Sequence, residues 1–237
     1  MLIKKELLKS NAASLGVELG EDALEKFDML AELLIEQNKT MNLTAITDPD
    51  EVVIKHFADS ISLLSAINPE QNAKILDLGT GAGFPGIPLL ITRPDIRLTM
   101  VDSTAKKLRY VADTVEKLGL EAETLHARAE EAGKNADYRE QYDIVCSRAV
   151  AALNVLSEYC LPFVKVGGVF VAMKSAKAEE EIADAKKAIG ILGGKIIDKK
   201  TFTLSDGGER TLIIIKKISQ TSPKYPRVSA QISKKPL

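Results

Sequence analysis

The stretch at residues 74–91, KILDLGTGAGFPGIPLLI, constrains this chain more than any other. An apolar run of Ile75, Leu76 and Leu78 holds one acid, Asp77, and leads into Gly79, Gly81 and Gly83, with Gly86 at an expected helix start. Glycines at alternate positions let the backbone take positive φ and approach a ligand closely, and the first helical turn offers free N–H groups. The stretch therefore predicts a strand, a glycine turn and a helix set against a bulky polar or anionic ligand. Gly81, Gly83 and Gly86 formally meet the G-x-G-x-x-G pattern, a match too common to name the ligand alone.

The surrounding chain supplies a sheet for that unit. Expected strands at 97–101, 121–126, 142–148 and 168–174 alternate with expected helices at 105–118, 153–164 and 179–192, the pattern of a parallel sheet covered on both faces. Two last strands, at 195–202 and 210–218, are joined through Ser205-Asp206-Gly207-Gly208, short enough for a hairpin, so the sheet should finish antiparallel. Ahead of it, residues 1–40 read as two amphipathic helices, and Asp48 caps a third that runs to about Ile67. The organisation is read as an N-terminal helical cap (1–70), a sheet domain (71–219) and a basic tail (220–237). Three prolines and weak apolar periodicity predict that the tail is extended.

A net charge of −1 over 237 residues gives no global bias toward nucleic acid, so any basic surface must be local. The last 28 residues provide one: Arg210, Lys216, Lys217, Lys224, Arg227, Lys234 and Lys235 stand there without an Asp or Glu. Two cysteines make no disulfide framework, and no apolar run approaches the roughly 18 residues of a membrane span. A cytoplasmic protein with no membrane partner is expected.

Ligands of such sheets bind at the carboxyl ends of the strands. Asp102 closes the second strand nineteen positions beyond Gly83, where a carboxylate can accept from both hydroxyls of a ribose. That suits NAD and S-adenosylmethionine equally. Asp77 would repel a pyrophosphate but can orient the glycine loop and a cationic ligand, which favours a sulfonium. His56, Asp59 and Ser60 share one face of the third helix at offsets of three and four. An ordinary helix supplies no exposed nucleophile, so a structural or ligand-lining role is preferred to a catalytic triad.

Further motifs narrow the reading. Asn42-Leu43-Thr44, His56-Phe57-Ala58-Asp59-Ser60, the long run from Asp77 to Pro88, Val101-Asp102-Ser103 with Lys106-Lys107, and Arg128-Ala129-Glu130-Glu131 occur in order. Ser147-Arg148-Ala149, Gly208-Glu209-Arg210 and Lys224-Tyr225-Pro226-Arg227 follow. Together they resemble the bacterial small-subunit ribosomal RNA guanine-N7 methyltransferases, the glucose-inhibited division protein B family, from about Asn42 to Arg227. The resemblance implies a class I S-adenosylmethionine-dependent methyltransferase of the α/β class. Its Rossmann-like, mostly parallel seven-stranded sheet would have an antiparallel last strand. It implies methylation of N7 of a guanine in the 530 loop of 16S rRNA, with that RNA or a small-subunit particle as partner, and a monomer is expected. One departure lies at the end, where the family usually follows Tyr-Pro-Arg with a glycine and a proline and this chain has Val228-Ser229-Ala230.

Carried over by motif, Gly79 and Phe84 would line the cofactor, Ala129 and Glu130 would contact its adenine, and Arg148 would stand between cofactor and RNA. Strand position adds Asp77, Gly81, Gly83 and Asp102 to the cofactor set. Arg148 and Lys174 are candidates for positioning the substrate. His56, Asp59, Ser60, Arg128, Arg210, Lys224, Arg227, Lys234 and Lys235 are candidates for the RNA surface. Guanine N7 carries a lone pair and no proton, so no general base is required and no metal is expected. Two rivals stand beside this reading: a methyltransferase for a small molecule or protein, and a non-catalytic RNA-binding module that keeps the pocket.

Overall fold

The structure, a computed structural model, describes residues 2–148, 151–175 and 178–237. Its sheet is built from β1 (Lys74–Leu78), β2 (Arg97–Asp102), β3 (Glu123–His126), β4 (Tyr142–Arg148), β5 (Val164–Lys174), β6 (Gly194–Thr203) and β7 (Glu209–Lys217). They lie in the order β3-β2-β1-β4-β5-β7-β6, with β7 antiparallel to both neighbours and the other pairs parallel. The order reverses between β1 and β4, which opens a crevice at the carboxyl end of β1.

The period-two alternation of β1 divides the core. Ile75 joins the apolar cluster under the N-terminal helices, while Leu76 and Leu78 join the cluster on the other face. On the first face, α1 (Lys5–Ser14) and α2 (Glu21–Met41) pack with Leu24, Phe27, Leu30 and Leu34 buried at helical spacing. Phe27 meets Phe57 at 5.0 Å between ring centroids, and Phe57 lies 6.2 Å from Phe84 of the glycine loop. The helical cap thus reaches the loop through three aromatic rings.

Three expected boundaries move. The third helix begins, as anticipated, with Asp48 accepting from the Glu51 N–H, but after α3 (Pro49–Val52) it widens into a π-helical segment, Val53–Ala58. It then tightens through α4 (Asp59–Ile61) into a 3₁₀ turn, Ser62–Ser65, and α5 (Gly86–Thr92), α6 (Ala105–Lys117), α7 (Ala129–Ala132) and α9 (Ala178–Ile191) lie between the strands. The helix expected to reach 164 stops as α8 (Leu153–Cys160), with a 3₁₀ turn at Leu161–Phe163, because Pro162 lacks the N–H that helix continuation needs. β5 consequently starts at Val164 and runs through the paired glycines. A Cβ on Gly168 would come within 2.6 Å of the Asp143 carbonyl oxygen, at the register shift between Tyr142 and Ile144.

The tail is not simply extended. It ends in α10 (Ser229–Lys234), whose Ile232 is fully buried. Local periodicity misses this helix because side chains far away in sequence hold it. Arg139 donates to the carbonyl oxygens of Thr221 and Tyr225 at 2.7 and 2.9 Å. Lys217, almost wholly buried, donates to the Leu161 carbonyl oxygen and Thr221 Oγ1 and pairs with Glu140. Burial lowers its pKa to about 8. Glu158 on α8, fully buried, accepts the Arg227 backbone N–H at 2.8 Å and its guanidinium at 2.6 to 3.2 Å.

Removing one partner of a buried pair leaves an uncompensated charge. Arg227→Ala is expected to destabilise the protein by about 3 kcal/mol and to expose residues 220–237 to limited proteolysis. Glu158→Gln with Arg227→Ala should recover part of the loss in thermal melts.

Candidate active site

The glycine loop is shaped by a buried carboxylate. Asp77, with no exposed surface, accepts through Oδ2 from the Thr80 hydroxyl at 2.7 Å and the Gly86 N–H at 2.9 Å. Its Oδ1 is buried without a partner. Burial pushes its pKa up to about 6, opposed by the bonds from Thr80 and Gly86. A Cβ at Gly86 would lie 2.9 Å from Asp77 Oδ2 and 2.8 Å from the Met100 sulfur, so only glycine lets the loop close over this carboxylate. Asp102, at the end of β2, ties down the other side. Its Oδ2 accepts from the Gly81 N–H at 3.0 Å and its Oδ1 from the Thr104 N–H at 2.8 Å, while Gly81 takes φ +60°. Gly79 and Gly83 also have positive φ.

Two cavities open at the carboxyl ends of the strands. One, of about 350 Å³, lies at the ends of β1, β2 and β3 and is walled by Gly79, Asp102, Arg128, Ala129 and Glu130. Tyr159 of α8 and Ser229 of α10 also line it. The other, of about 630 Å³, lies at the ends of β4 and β5 among His56, Asp59, Arg148, Lys174, Glu181 and Arg210. A larger hollow of about 1030 Å³ sits at the opposite, amino ends of the strands, around Lys74, Arg97 and Glu123, away from the glycine turn and the candidate site residues.

Arg148 organises the second cavity. Its Nη1 donates to Asp59 Oδ2 at 3.0 Å, to the Lys55 carbonyl oxygen at 3.2 Å and to Ser60 Oγ at 3.4 Å. Nη2 donates to His56 Nδ1 at 3.3 Å. The guanidinium carbon stands 5.2 Å from the centre of the Phe84 ring, and the His56 ring stacks on the same Phe84 at 4.6 Å. Burial, reinforced by the Arg148 charge, lowers the His56 pKa to about 3. The ring is therefore neutral: Nδ1 accepts from Arg148, and Nε2–H donates to Thr44 Oγ1 at 2.8 Å. The other oxygen of Asp59 accepts from Arg210 Nε at 3.0 Å. Two guanidiniums thus share one carboxylate, and the cavity wall keeps an excess positive charge.

The sequence candidates divide accordingly. Gly79, Asp102, Arg128, Ala129 and Glu130 meet at the first cavity, and His56, Asp59, Arg148, Lys174 and Arg210 at the second. Ser60 reaches Arg148 but also caps the His56 carbonyl oxygen. The side chains of His56, Asp59 and Ser60 do not bond one another as their helical offsets suggest; each turns to Arg148. Lys174 donates to the Ala151 carbonyl oxygen and pairs with Glu181 at 2.7 Å. Lys224 lies over the Tyr225 ring at 5.0 Å, and Lys234 and Lys235 are exposed on α10 and just after it. Arg227 is committed to Glu158. Glu181 and Tyr159 look like ordinary helix residues in the sequence and Ser229 like part of an extended tail; the packing of their helices against the strand ends brings them to the cavities. Thr44 was visible only as part of a quoted motif.

Comparison with known proteins agrees with this geometry. The family described as GidB, rRNA small subunit methyltransferase G, matches residues 23–213. A protein named ribosomal RNA small subunit methyltransferase G from Acetivibrio thermocellus is 48% identical over 235 residues, 98% of this chain and 96% of that one. Its namesake from Lactobacillus johnsonii is 48% identical over 98% of this chain and 99% of its own. Among solved structures, a SAM-dependent methyltransferase from Aquifex aeolicus superposes with a TM-score of 0.53 at 18% identity, covering 73% of this chain and 96% of that one. TYW2 from M. jannaschii, in complex with AdoMet, gives 0.51 at 17% over 65% of this chain and 73% of its own. The structural likenesses establish the class I methyltransferase fold, and the sequence matches establish that this chain belongs to the rRNA small subunit methyltransferase G family.

Proposed function

We propose that this protein transfers the sulfonium methyl of S-adenosylmethionine to N7 of a guanine in the 530 loop of 16S rRNA. The observation that carries this reading is the division of the strand ends, in a chain of this family, into two cavities on either side of β1. The β2 side holds the cofactor and the β4 side receives the base. The donor set fits the cofactor. Asp102 faces the first cavity with one backbone donor on each oxygen, and a carboxylate has lone pairs left for a ribose diol. The buried, negative Asp77 beside the loop favours a sulfonium and disfavours a pyrophosphate. When bound, S-adenosylmethionine supplies an electrophilic methyl group on a cationic sulfur.

The chain's own residues then hold and orient. N7 attacks with its lone pair, so no side chain has to take a proton, and His56, neutral with both nitrogens engaged, is a spacer rather than a base. Phe84 gives the loop an apolar face, on which His56 and Arg148 are stacked. Arg148 and Arg210, with only Asp59 between them, offer surplus positive charge to guanine O6 or a backbone phosphate. Alignment of this kind can supply about 7 to 11 kcal/mol of the barrier. Lys224, Lys234 and Lys235 are the tail cations left to meet phosphates farther out.

Incubation with labelled S-adenosylmethionine and small-subunit particles from cells lacking the protein should place one methyl on N7 of a 530-loop guanine. RNA that stays unlabelled would overturn the proposal. Arg148→Ala should lower kcat/KM for the particle about 100-fold, a loss on the order of 3 kcal/mol. Replacing Lys224, Lys234 and Lys235 by alanine should flatten the log-log salt dependence of RNA binding by about 2 to 3.

A pH experiment isolates Asp77. The folded carboxyl keeps its proton up to about pH 6, whereas the ordinary value is 3.8. At Asp77 the folded state therefore binds more protons than the unfolded chain between those values, and the Asp77 contribution to stability falls as pH rises through that window, against an opposite contribution from His56, whose folded pKa is depressed. The decline is on the order of 3 kcal/mol. Asp77→Asn should remove it in denaturant titrations at pH 4 and 7, while weakening S-adenosylmethionine binding at pH 7.5.

A further inference from the structure

The C-terminal tail contributes to a wall that the motifs do not mention. The Tyr159 and Ser229 hydroxyls lie 2.9 Å apart, and both residues line the cavity that contains Asp102, Ala129 and Glu130. Both are half-buried, Tyr159 on α8 and Ser229 as the first residue of α10. Each hydroxyl carries one proton, and a single bond between them uses only one. The pair therefore retains an O–H donor and acceptor lone pairs beside the cavity, whichever group donates to the other. Its position is held from behind: Glu158, the neighbour of Tyr159, binds Arg227, two residues before Ser229.

We propose that Tyr159 and Ser229 complete the adenosine-binding wall, so that the tail is a working part of the cofactor site. The inference rests on the reading of this cavity as the cofactor site. A hydroxyl pair can donate to a ring nitrogen of adenine and accept from its amino group, and it supplies the neutral polar groups that the acidic Asp102 and Glu130 lack. Because the same tail carries Lys224, Lys234 and Lys235, cofactor and RNA act on one docked element. Any effect of one on the affinity for the other is reciprocal, by the same factor.

The test is calorimetric titration of the full-length protein with S-adenosylmethionine and with S-adenosylhomocysteine. Ser229→Ala and Tyr159→Phe should each raise Kd about 3- to 10-fold, the range expected for one lost hydrogen bond. Both should do so equally for the two ligands, with only the small fall in ligand-free melting temperature that follows from losing the bond between the two hydroxyls. Ser229→Thr, which keeps a hydroxyl, should stay within about twofold of wild type. Ser233→Ala, the same deletion at an exposed position on the same helix, should have no effect. Wild-type affinity in both Ser229→Ala and Tyr159→Phe would overturn the inference, as would a loss that Ser229→Thr fails to restore. A wild-type protein that binds neither ligand would overturn the cofactor reading itself, and this inference with it.

Discussion

The carboxylate of Asp77 is the constraint on which the rest of the site depends. It sits near the carboxyl end of β1 with no exposed surface, and burial raises its pKa to about 6. The burial is offset by the Thr80 hydroxyl and the Gly86 N–H, which cannot reach it unless the intervening chain folds back over the strand end. The fold-back requires glycine at 86, brings Gly81 onto Asp102, and presents Phe84 toward the π-helical segment. One buried charge thus sets the path of the loop, the separation of the two cavities and the apolar face between them.

Arg148 does for the second cavity what Asp77 does for the first. Its partners come from the π-helical segment and from α4, while Arg210 of β7 joins through Asp59. These elements are distant in sequence, so the web forms only when cap, sheet and final strand are all in place. Stacking against Phe84 links it back to the glycine loop. Electrostatics gives the arrangement its direction: a neutral histidine and one carboxylate cannot balance two guanidiniums, and the remainder faces the cavity.

Much of this was legible in the residues. The glycine stretch announced β1 and its turn, and alternation of strands and helices announced the sheet, because both patterns are local and periodic. The chain-order motifs contain many of the side chains that the fold gathers around the two cavities. What they could not convey was partnership. His56, Asp59 and Ser60 are three and four residues apart and look like mutual partners, yet all three converge on an arginine some ninety residues later. Pro162 was a visible stop signal that the apolar run around it obscured, so β5 was placed too late. The tail helix has no periodic warning, since its stability comes from Arg139, Glu140 and Glu158 rather than from its own six residues.

The basic tail shows why charge counted along a sequence differs from charge on a surface. Seven cations stand in the last 28 residues without an acid, which reads as a single phosphate-binding segment. In the fold, Arg210, Lys217 and Arg227 turn inward to Asp59, Glu140 and Glu158, acids contributed from elsewhere in the chain. The segment therefore divides: Arg210 ties β7 to Asp59, Lys217 and Arg227 fix the tail against β7 and α8, Lys216 is half-buried on β7, and the outward lysines are Lys224, Lys234 and Lys235. A flexible basic arm would lose conformational entropy each time it met RNA, whereas a tail already docked by buried ion pairs has met that cost on folding. Its outward lysines are then held in fixed positions on the same tail whose Ser229 lines the cavity at the ends of β1, β2 and β3.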